Sequence, residues 1–374
     1  MALHVLLVPD KFKGTLTAAA AAAAMAEGWA QARPDDVLEL LPMSDGGDGF
    51  GEVMGTALGA TARRVATVDS VGQNCQALWW YAAPSRTAVI EAAQINGLAN
   101  LPKNPPHPFD RDTFGLGAAI LAAVEAGAER CSVGIGGSST NDAGFGMARA
   151  LGWRFLDAAE QPILRWPDLT RLVRIAASER REWFPKLVVA VDVANPLLGE
   201  RGCTRIYGPQ KGLHAPDWPA AEAALSRLAE VARTTFGRDY AAEPGAGAAG
   251  GLGFGFRAFL GARLEPGFDI FADHAGLARR MMGKDLVITG EGAIDASTLM
   301  GKGVGQVALW AKQRGLPCVG LAGVVTARDP ARGGFTVARG CVELTTSQEA
   351  MTNPAHWLTE LARLTATDYC APKT

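Results

Sequence analysis

The sequence lacks a charge excess of either sign, since 36 Lys and Arg side chains stand against 38 Asp and Glu side chains over 374 residues. Without a positive field, binding to the phosphate backbone of a nucleic acid is disfavoured. Long apolar runs are missing too, because the alanine run at 18–24 is far shorter than the roughly 20 apolar residues of a membrane span. We therefore expect neither a nucleic-acid partner nor a membrane partner.

Cysteine and histidine are sparse and scattered. The six cysteines include no Cys-x-x-Cys pair, and the five histidines form no His-Glu-x-x-His pattern, so a zinc site is disfavoured. We interpret the cysteines as reduced thiols in a cytoplasmic chain. Ser138 is followed by Ser139 and Thr140 rather than by x-Gly, which disfavours a Gly-x-Ser-x-Gly hydrolase.

Short apolar runs alternate with helix-forming segments at both ends of the chain. The strand-like runs cover residues 4–8, 37–41 and 285–289. Helices are predicted over residues 15–33 and 302–314. This alternation predicts an α/β protein with a parallel sheet covered on both faces, and the length favours two or three domains. Residues 62–95 contain strand-like runs without an obvious helix, which indicates a second module.

Two glycine-rich segments suggest close approach of the backbone to a ligand or to another element. Residues 131–142 form a strand, a glycine turn and the start of a predicted helix at 143–150, an arrangement that favours phosphate or carboxylate. A plain turn with a Ser/Thr cap explains the same segment equally well. Residues 245–250 match the dinucleotide pattern G-x-G-x-x-G, but no strand leads into them, so a Rossmann site is disfavoured.

Charged side chains occur where parallel sheets usually build their sites. Asp45, Asp192 and Glu291 follow strand-like runs, and Asp45 and Glu291 also adjoin glycines; each can cap a turn, but together they favour a Mg²⁺ site. Lys211 and Lys302 also adjoin glycines, where they can contact phosphate or lie solvated at the surface. Spacing alone supports an α/β enzyme that handles an anionic ligand.

Several of these stretches together resemble the type I glycerate kinase family. The matching blocks are residues 8–17, 44–49, 134–142, 192–199, 208–212, 244–253 and 288–295. The resemblance implies ATP-dependent phosphorylation of glycerate in the cytoplasm. It also implies a flavodoxin-like parallel-sheet domain, residues 1–62 with 268–374, into which a second α/β domain, residues 63–267, is inserted.

The sequence departs from the family pattern at a few positions, namely Lys11, Phe50, Ala143 and Ser297. Because the first two lie in the N-terminal glycine-turn region, they concern the choice of substrate more than the type of reaction. Two alternatives therefore stay open. One is a kinase of another small hydroxy acid, and the other is a non-catalytic anion-binding protein of the same fold.

Phosphoryl transfer mainly requires alignment and stabilisation of charge. We predict that the turn cradles the phosphates of ATP through its backbone N–H groups. The predicted phosphate-binding residues are Gly136, Gly137, Ser138, Ser139 and Thr140. Asp192 and Glu291 are predicted to hold Mg²⁺, while Lys211 and Lys302 would neutralise charge on the transferred phosphoryl group.

Glycerate carries a carboxylate and two hydroxyls, so its pocket needs a cation and a carboxylate. Lys13, Asp45, Gly46 and Gly47 are the predicted substrate-binding residues. Asp45 is the candidate catalytic base, although Asp295 or Asp192 would serve chemically as well. The acceptor hydroxyl stays open, and a homo-oligomer is compatible with the sequence.

Overall fold

The structure is a computed structural model that describes residues 2–12, 14–180, 182–300 and 303–369. The strands are β1 (His4–Pro9), β2 (Val37–Leu40), β3 (Thr61–Val68), β4 (Asn74–Ala82), β5 (Thr87–Glu91), β6 (Arg130–Gly134), β7 (Arg154–Leu156), β8 (Arg174–Ala176), β9 (Lys186–Ala190), β10 (Arg263–Glu265), β11 (Leu286–Gly290), β12 (Ala293–Ile294), β13 (Cys318–Ala322), β14 (Val324–Val325) and β15 (Val337–Gly340). The helices are α1 (Ala18–Ala32), α2 (Phe50–Ala57), α3 (Ala93–Asn96), α4 (Leu116–Glu125), α5 (Phe145–Ala150), α6 (Cys203–Lys211), α7 (Trp218–Phe236), α8 (Ala248–Leu260), α9 (Gly267–Ala275), α10 (Leu277–Met281), α11 (Ala296–Leu299), α12 (Val304–Gln313), α13 (Ser347–Thr352) and α14 (Pro354–Asp368). Within the described ranges, no helix is both long and apolar enough to cross a bilayer.

The chain divides into two compact units. The first unit comprises Met1–Asp45 and Phe268–Thr374, and the second comprises Gly46–Gly267. The family resemblance implies a first junction at 62–63, whereas the boundary between the compact units lies at 45–46. Helix α2 belongs to the second unit because it packs on β4: a methyl group added at Gly51 would lie 1.9 Å from a ring carbon of Trp80.

The first unit is built around a parallel sheet with strand order β15-β13-β11-β1-β2. Numbered along this unit, the order is 2-1-3-4-5, which is the flavodoxin-like order. Val5, Leu7 and Ile288 belong to a core that includes residues of α1 and α14. Leu6 and Val8 alternate with them and are also fully buried. Strands buried on both faces explain the continuous apolar runs in the sequence.

Helices α1 and α14 pack closely in this unit. A methyl group added at Gly28 would lie 2.0 Å from the carbonyl oxygen of Thr359, so only glycine permits this approach. Helix α1 begins after Thr17, whose side chain accepts a hydrogen bond from the Ala20 N–H. A Thr cap of this kind satisfies one of the unpaired N–H groups of the first turn.

The second unit contains a mixed sheet with strand order β10-β9-β6-β5-β4-β3. Strands β10, β9, β6 and β5 are parallel, while β4 pairs antiparallel with both β5 and β3. This antiparallel meander, Thr61–Glu91, accounts for most of the stretch at residues 62–95 in which the sequence shows no obvious helix. The predicted fold class is confirmed: a flavodoxin-like parallel-sheet domain carries a second α/β domain inserted into its chain.

Candidate functional site

Carboxylates gather at the carboxyl ends of adjacent strands in the first unit. Asp10 directly follows β1 and Glu291 directly follows β11; the Asp10 N–H donates to the Gly290 carbonyl at 2.9 Å. In this strand order the connections that follow β1 and β11 lead toward opposite edges of the sheet. Ligands of open α/β sheets bind outside the carboxyl ends of two such strands. Asp45, which follows β2, exerts an electrostatic effect on both carboxyl groups.

Burial and mutual repulsion disfavour the charged forms of these carboxylates. Burial, reinforced by the charges of Asp45 and Glu291, raises the pKa of Asp10 to about 7. Burial also raises the pKa of Glu291 to about 7, assisted by Asp295 and Asp45 and opposed by a hydrogen bond from Thr298. A cation bound here would relieve the repulsion.

The chemistry of these side chains fits Mg²⁺, which prefers hard oxygen ligands and keeps several waters. No group of three or more His, Cys, Asp or Glu side chains within the described residues forms a complete metal-binding set. Asp10 and Glu291 can therefore supply part of a coordination shell, and water or phosphate oxygens would supply the rest. Asp10 was not among the residues expected from the sequence.

Asp295 caps a short helix beside this cluster. Its carboxylate accepts hydrogen bonds from the Ser297 N–H at 2.7 Å and the Ser297 hydroxyl at 2.6 Å. The neighbouring Thr298 hydroxyl donates to Glu291 Oε1 at 2.7 Å and accepts from the Asp295 N–H at 3.2 Å. Asp295 thus orders α11, and α11 in turn orients Glu291. Its predicted catalytic role stays a prediction.

The two lysines predicted beside this cluster, Lys13 and Lys302, lie outside the described residues. Gly303 follows Lys302 and precedes α12. A methyl group added at Gly303 would lie 3.7 Å from Asp10 Oδ2 and 4.0 Å from Asp45 Oδ2. The backbone at the start of α12 therefore adjoins the carboxylates.

In the second unit the two predicted glycine turns lie against each other. The Gly136 N–H donates to the Gly46 carbonyl at 3.0 Å. A methyl group added at Gly136 would lie 2.7 Å from the Cα of Gly47, and Gly137 has a left-handed φ of 76°. Predicted substrate-binding and phosphate-binding residues therefore meet in this unit, and the contact requires glycine at position 136.

The helix that follows the second glycine turn already has an anion at its N-terminus. The Asp142 carboxylate accepts hydrogen bonds from the N–H groups of Gly144 at 3.2 Å and Gly146 at 2.9 Å. Glu91 does the same for α2, accepting from Gly49 at 3.1 Å and Gly51 at 2.9 Å. The alternative interpretation of this segment, a capped turn, therefore fits the structure, with Asp142 rather than Ser or Thr as the cap.

The three polar side chains of the predicted phosphate turn face the protein interior. Asn96 donates from its Nδ2 to the hydroxyls of Ser138 at 3.3 Å and Thr140 at 3.4 Å. The Ser139 hydroxyl and N–H donate to the Asn96 carbonyl at 2.9 and 2.7 Å, and all of these side chains are buried. Binding of phosphate by this turn stays a prediction, and it now depends on the backbone at Gly137 and Ser138.

Lys211 and Asp192 make contacts inside the second unit. Lys211 is 3% exposed, and its Nζ donates to the Thr140 carbonyl at 2.6 Å. Asp192 Oδ1 accepts from the Gly267 N–H at 2.9 Å. Their predicted roles, charge neutralisation and Mg²⁺ binding, stay predictions. Gly250 in the glycine tract approaches Thr140 so closely that an added methyl group would lie 1.9 Å from its carbonyl oxygen.

Two departures from the family pattern now have structural explanations. Phe50 is fully buried at the start of α2, and its ring lies where a methyl group at Gly134 would be 2.6 Å away, so it is a packing residue. Ala143 adopts a φ of 53°, a left-handed conformation in which glycine is unstrained.

Asp10, Glu91 and Asp142 are residues of the candidate site that sequence reasoning missed. Asp10 had the same signal as Glu291, a carboxylate directly after an apolar strand, and that signal would have identified it. Glu91 also ends a strand, but its partners lie 40 and 42 residues away along the chain. Contacts at such separations leave no local pattern.

Comparisons with known proteins agree over nearly the whole chain. A sequence model described as the glycerate kinase family matches residues 5–369. Glycerate kinase from Halalkalibacterium halodurans is 39% identical over 85% of both chains, and glycerate 2-kinase from Escherichia coli is 37% identical over 87% of this chain and 86% of its own. A crystal structure from Salmonella typhimurium LT2, of a protein provisionally named glycerate kinase 2, matches with a TM-score of 0.85 and 34% identity over 98% of each chain.

Proposed function

Since the chain belongs to the glycerate kinase family, we propose that it transfers the γ-phosphoryl group of ATP to a hydroxyl of D-glycerate, with Mg²⁺ as cofactor. It is thus a phosphotransferase with an alcohol group as acceptor, and its substrate is a small organic acid. A cytoplasmic setting belongs to the same proposal. One observation carries it: Asp10 and Glu291 flank the point of the parallel sheet where α/β proteins bind ligands, in a chain of this family.

The carboxylates of the first unit have distinct roles in this proposal. Asp10 and Glu291 would hold Mg²⁺, which when bound neutralises charge on the phosphates of ATP. Asp45 is the proposed base, accepting the proton of the attacking hydroxyl as the phosphoryl group is transferred. Thr298 fixes the orientation of Glu291 through its hydroxyl, at 2.7 Å.

Within the second unit, the candidate anion-binding groups are backbone N–H groups rather than side chains. Gly46, Gly47 and Gly137 leave the main chain uncovered by Cβ atoms, and N–H groups in such turns suit phosphate or carboxylate oxygens. The Gly136 N–H already donates to the Gly46 carbonyl. The carboxylates of Glu91 and Asp142 already occupy the helix N-termini beside these turns. We therefore expect the backbone of the turns, rather than the helix N-termini, to bind anions in this unit.

The test is a coupled ATP assay with D-glycerate and Mg²⁺, followed by NMR of the product to identify the phosphorylated hydroxyl. We expect ADP release that requires glycerate and disappears with EDTA. Glu291→Gln should lower kcat by more than about 100-fold, because a charged ligand near the reacting phosphates is lost. The matched control is Glu27→Gln, at an exposed residue of the same unit.

Each outcome has a defined meaning. Glycerate-independent ATP consumption, or none at all, would overturn the proposed activity. If a different hydroxy acid in a substrate panel is phosphorylated faster, that acid rather than glycerate is the acceptor, and the proposed type of reaction still holds. A fully active Glu291→Gln variant would remove Glu291 from the metal site.

A further inference from the structure

Lys211 is enclosed in the interior of the second unit. Its Nζ donates to the Thr140 carbonyl at 2.6 Å, and a methyl group added at Gly250 would lie 2.7 Å from that Nζ. The left-handed backbone at the start of α8, where Gly250 has a φ of 72°, therefore covers the ammonium on one side. Thr140 covers it on another side. A ligand can reach this ammonium only by displacing one of them.

The main chain of Lys211 is anchored as well. Its carbonyl accepts a hydrogen bond from Arg111 Nη1 at 3.0 Å, and Arg111 is itself 3% exposed. The remaining guanidinium donors, Nε and Nη2, bind the Pro106 carbonyl at 2.8 and 2.6 Å. The main chain and the ammonium of Lys211 are therefore both held by hydrogen bonds. Its side chain thus fixes the distance between the Lys211 backbone and the Thr140 carbonyl.

The contact reaches the backbone of a segment whose side chains are held separately. Asn96 binds the hydroxyls of Ser138 and Thr140, and Asp142 accepts hydrogen bonds from the Thr113 N–H at 3.0 Å and hydroxyl at 2.8 Å. Lys211 holds the carbonyl of Thr140 between these two anchors. The position of that carbonyl determines how the chain leaves the glycine turn.

This arrangement destabilises the folded state of the second unit. Among the described residues the ammonium forms no ion pair, and its acceptor is a neutral carbonyl. Burial of an ammonium that lacks a paired carboxylate is unfavourable, and burial lowers the pKa of Lys211 to about 8. The charges of Cys203 and Asp142 oppose this shift and that of Arg111 adds to it, but burial has the largest effect. An apolar side chain of similar length would avoid this penalty. The lysine therefore serves the geometry of the segment rather than the stability of the unit.

We infer that Lys211 is a positioning residue, which fixes the Gly136–Thr140 turn through the Thr140 carbonyl and does not touch the transferred phosphoryl group. The inference rests on the proposed function, since it assigns the turn to the phosphates of ATP. A residue acting in this way should affect binding of the nucleotide more than the chemical step.

The first test is the Lys211→Met variant, with Lys103→Met at an exposed lysine of the same unit as control. We expect Lys211→Met to be at least as stable to denaturant as the wild type. Its KM for ATP should rise about tenfold, because small displacements of a binding group have large effects, while the KM for glycerate stays within about twofold. Gly250→Ala, which keeps the lysine and displaces its acceptor, should raise the KM for ATP likewise.

The second test uses the wild-type protein and amine acetylation followed by peptide mass mapping. Lys103 should be acetylated, whereas Lys211 should stay unmodified with or without ATP and Mg²⁺. Acetylation of Lys211 that ATP suppresses would overturn the inference, as would unchanged kinetic constants in Lys211→Met or a large loss of kcat at constant KM. Absence of glycerate-dependent activity in the wild type would instead refute the proposed function, and the acetylation result would still decide whether Lys211 is enclosed.

Discussion

Gly250→Ala tests the closest backbone contact of the candidate phosphate turn. Gly250 has a φ of 72°, and the added methyl group would lie 1.9 Å from the Thr140 carbonyl oxygen. Since Cβ atoms essentially never approach another heavy atom within 3.0 Å, either the kink at the start of α8 or the Thr140 carbonyl must move. Movement of that carbonyl would separate it from the Lys211 ammonium, its hydrogen-bond donor at 2.6 Å.

The cost has two parts. A left-handed conformation of an alanine costs about 1 kcal/mol. Overpacking, or loss of a buried hydrogen bond to a charged group, adds roughly 1.5 to 3 kcal/mol. We therefore expect Gly250→Ala to reduce the free energy of unfolding of the second unit by about 2.5 to 4 kcal/mol.

Gly237→Ala is the matched control. Gly237 lies in the same unit with a φ of 69°, but nothing lies within 4 Å of the added methyl group. This variant should show only the conformational cost of about 1 kcal/mol. Urea denaturation followed by tryptophan fluorescence, at equal m-values, measures the difference. If the free energy of unfolding falls equally in both variants, to within about 0.5 kcal/mol, the close contact at Gly250 does not affect stability and the reasoning is wrong.

Three further outcomes are expected. Asp36→Ala should cost about 3 to 5 kcal/mol, because the carboxylate is 2% exposed and binds Arg33 at 2.6 Å and the Trp29 indole at 2.9 Å. Glu360→Ala, at a more exposed ion pair with Arg363, should cost less than about 1 kcal/mol, and comparable losses in urea denaturation would contradict this. Burial lowers the pKa of Lys211 from 10.5 to about 8, opposed by the charges of Cys203 and Asp142 and assisted by that of Arg111, so the unfolded chain binds more protons between these pH values. The free energy of unfolding should therefore rise across this window by up to about 3 kcal/mol relative to Lys211→Met, and a flat difference would refute the enclosed ammonium. Asp10→Asn should raise the Mg²⁺ concentration needed for half-maximal ATP turnover about tenfold or more, and an unchanged Mg²⁺ titration would exclude Asp10 from the metal site.

Local patterns were sufficient where structure and chemistry depend on neighbours in the chain. The apolar run at 285–289 predicted strand β11, because a parallel strand buried on both faces is apolar throughout. The same run predicted the position of Glu291 at the carboxyl end of that strand, where ligands of such sheets bind. The predicted helix at 302–314 corresponds to α12, Val304–Gln313, because its stop signals lie in the sequence. The family resemblance likewise rested on short blocks in a fixed order.

The residues whose environment depends on packing were less predictable. A phosphate at the N-terminus of α5 was a reasonable expectation for a glycine turn followed by a helix, but Asp142 fills that position. Asp142 reaches N–H groups two and four residues ahead, so an Asp cap is a local signal, but only packing shows that this side chain, rather than a ligand, takes the position. The same holds for Ser138 and Thr140, whose hydroxyls turn inward to Asn96.

The sequence by itself determined the α/β class, the strands that end in carboxylates and the family, because each follows from periodicity or from the order of short motifs. Only the tertiary structure decided that Asp10 joins Glu291 beside Asp45, and that Lys211 binds the carbonyl of Thr140, 71 residues earlier. The physical reason is that burial, repulsion between charges and long-range hydrogen bonds depend on distances through space. Those distances are fixed only when the strands pair and the helices pack.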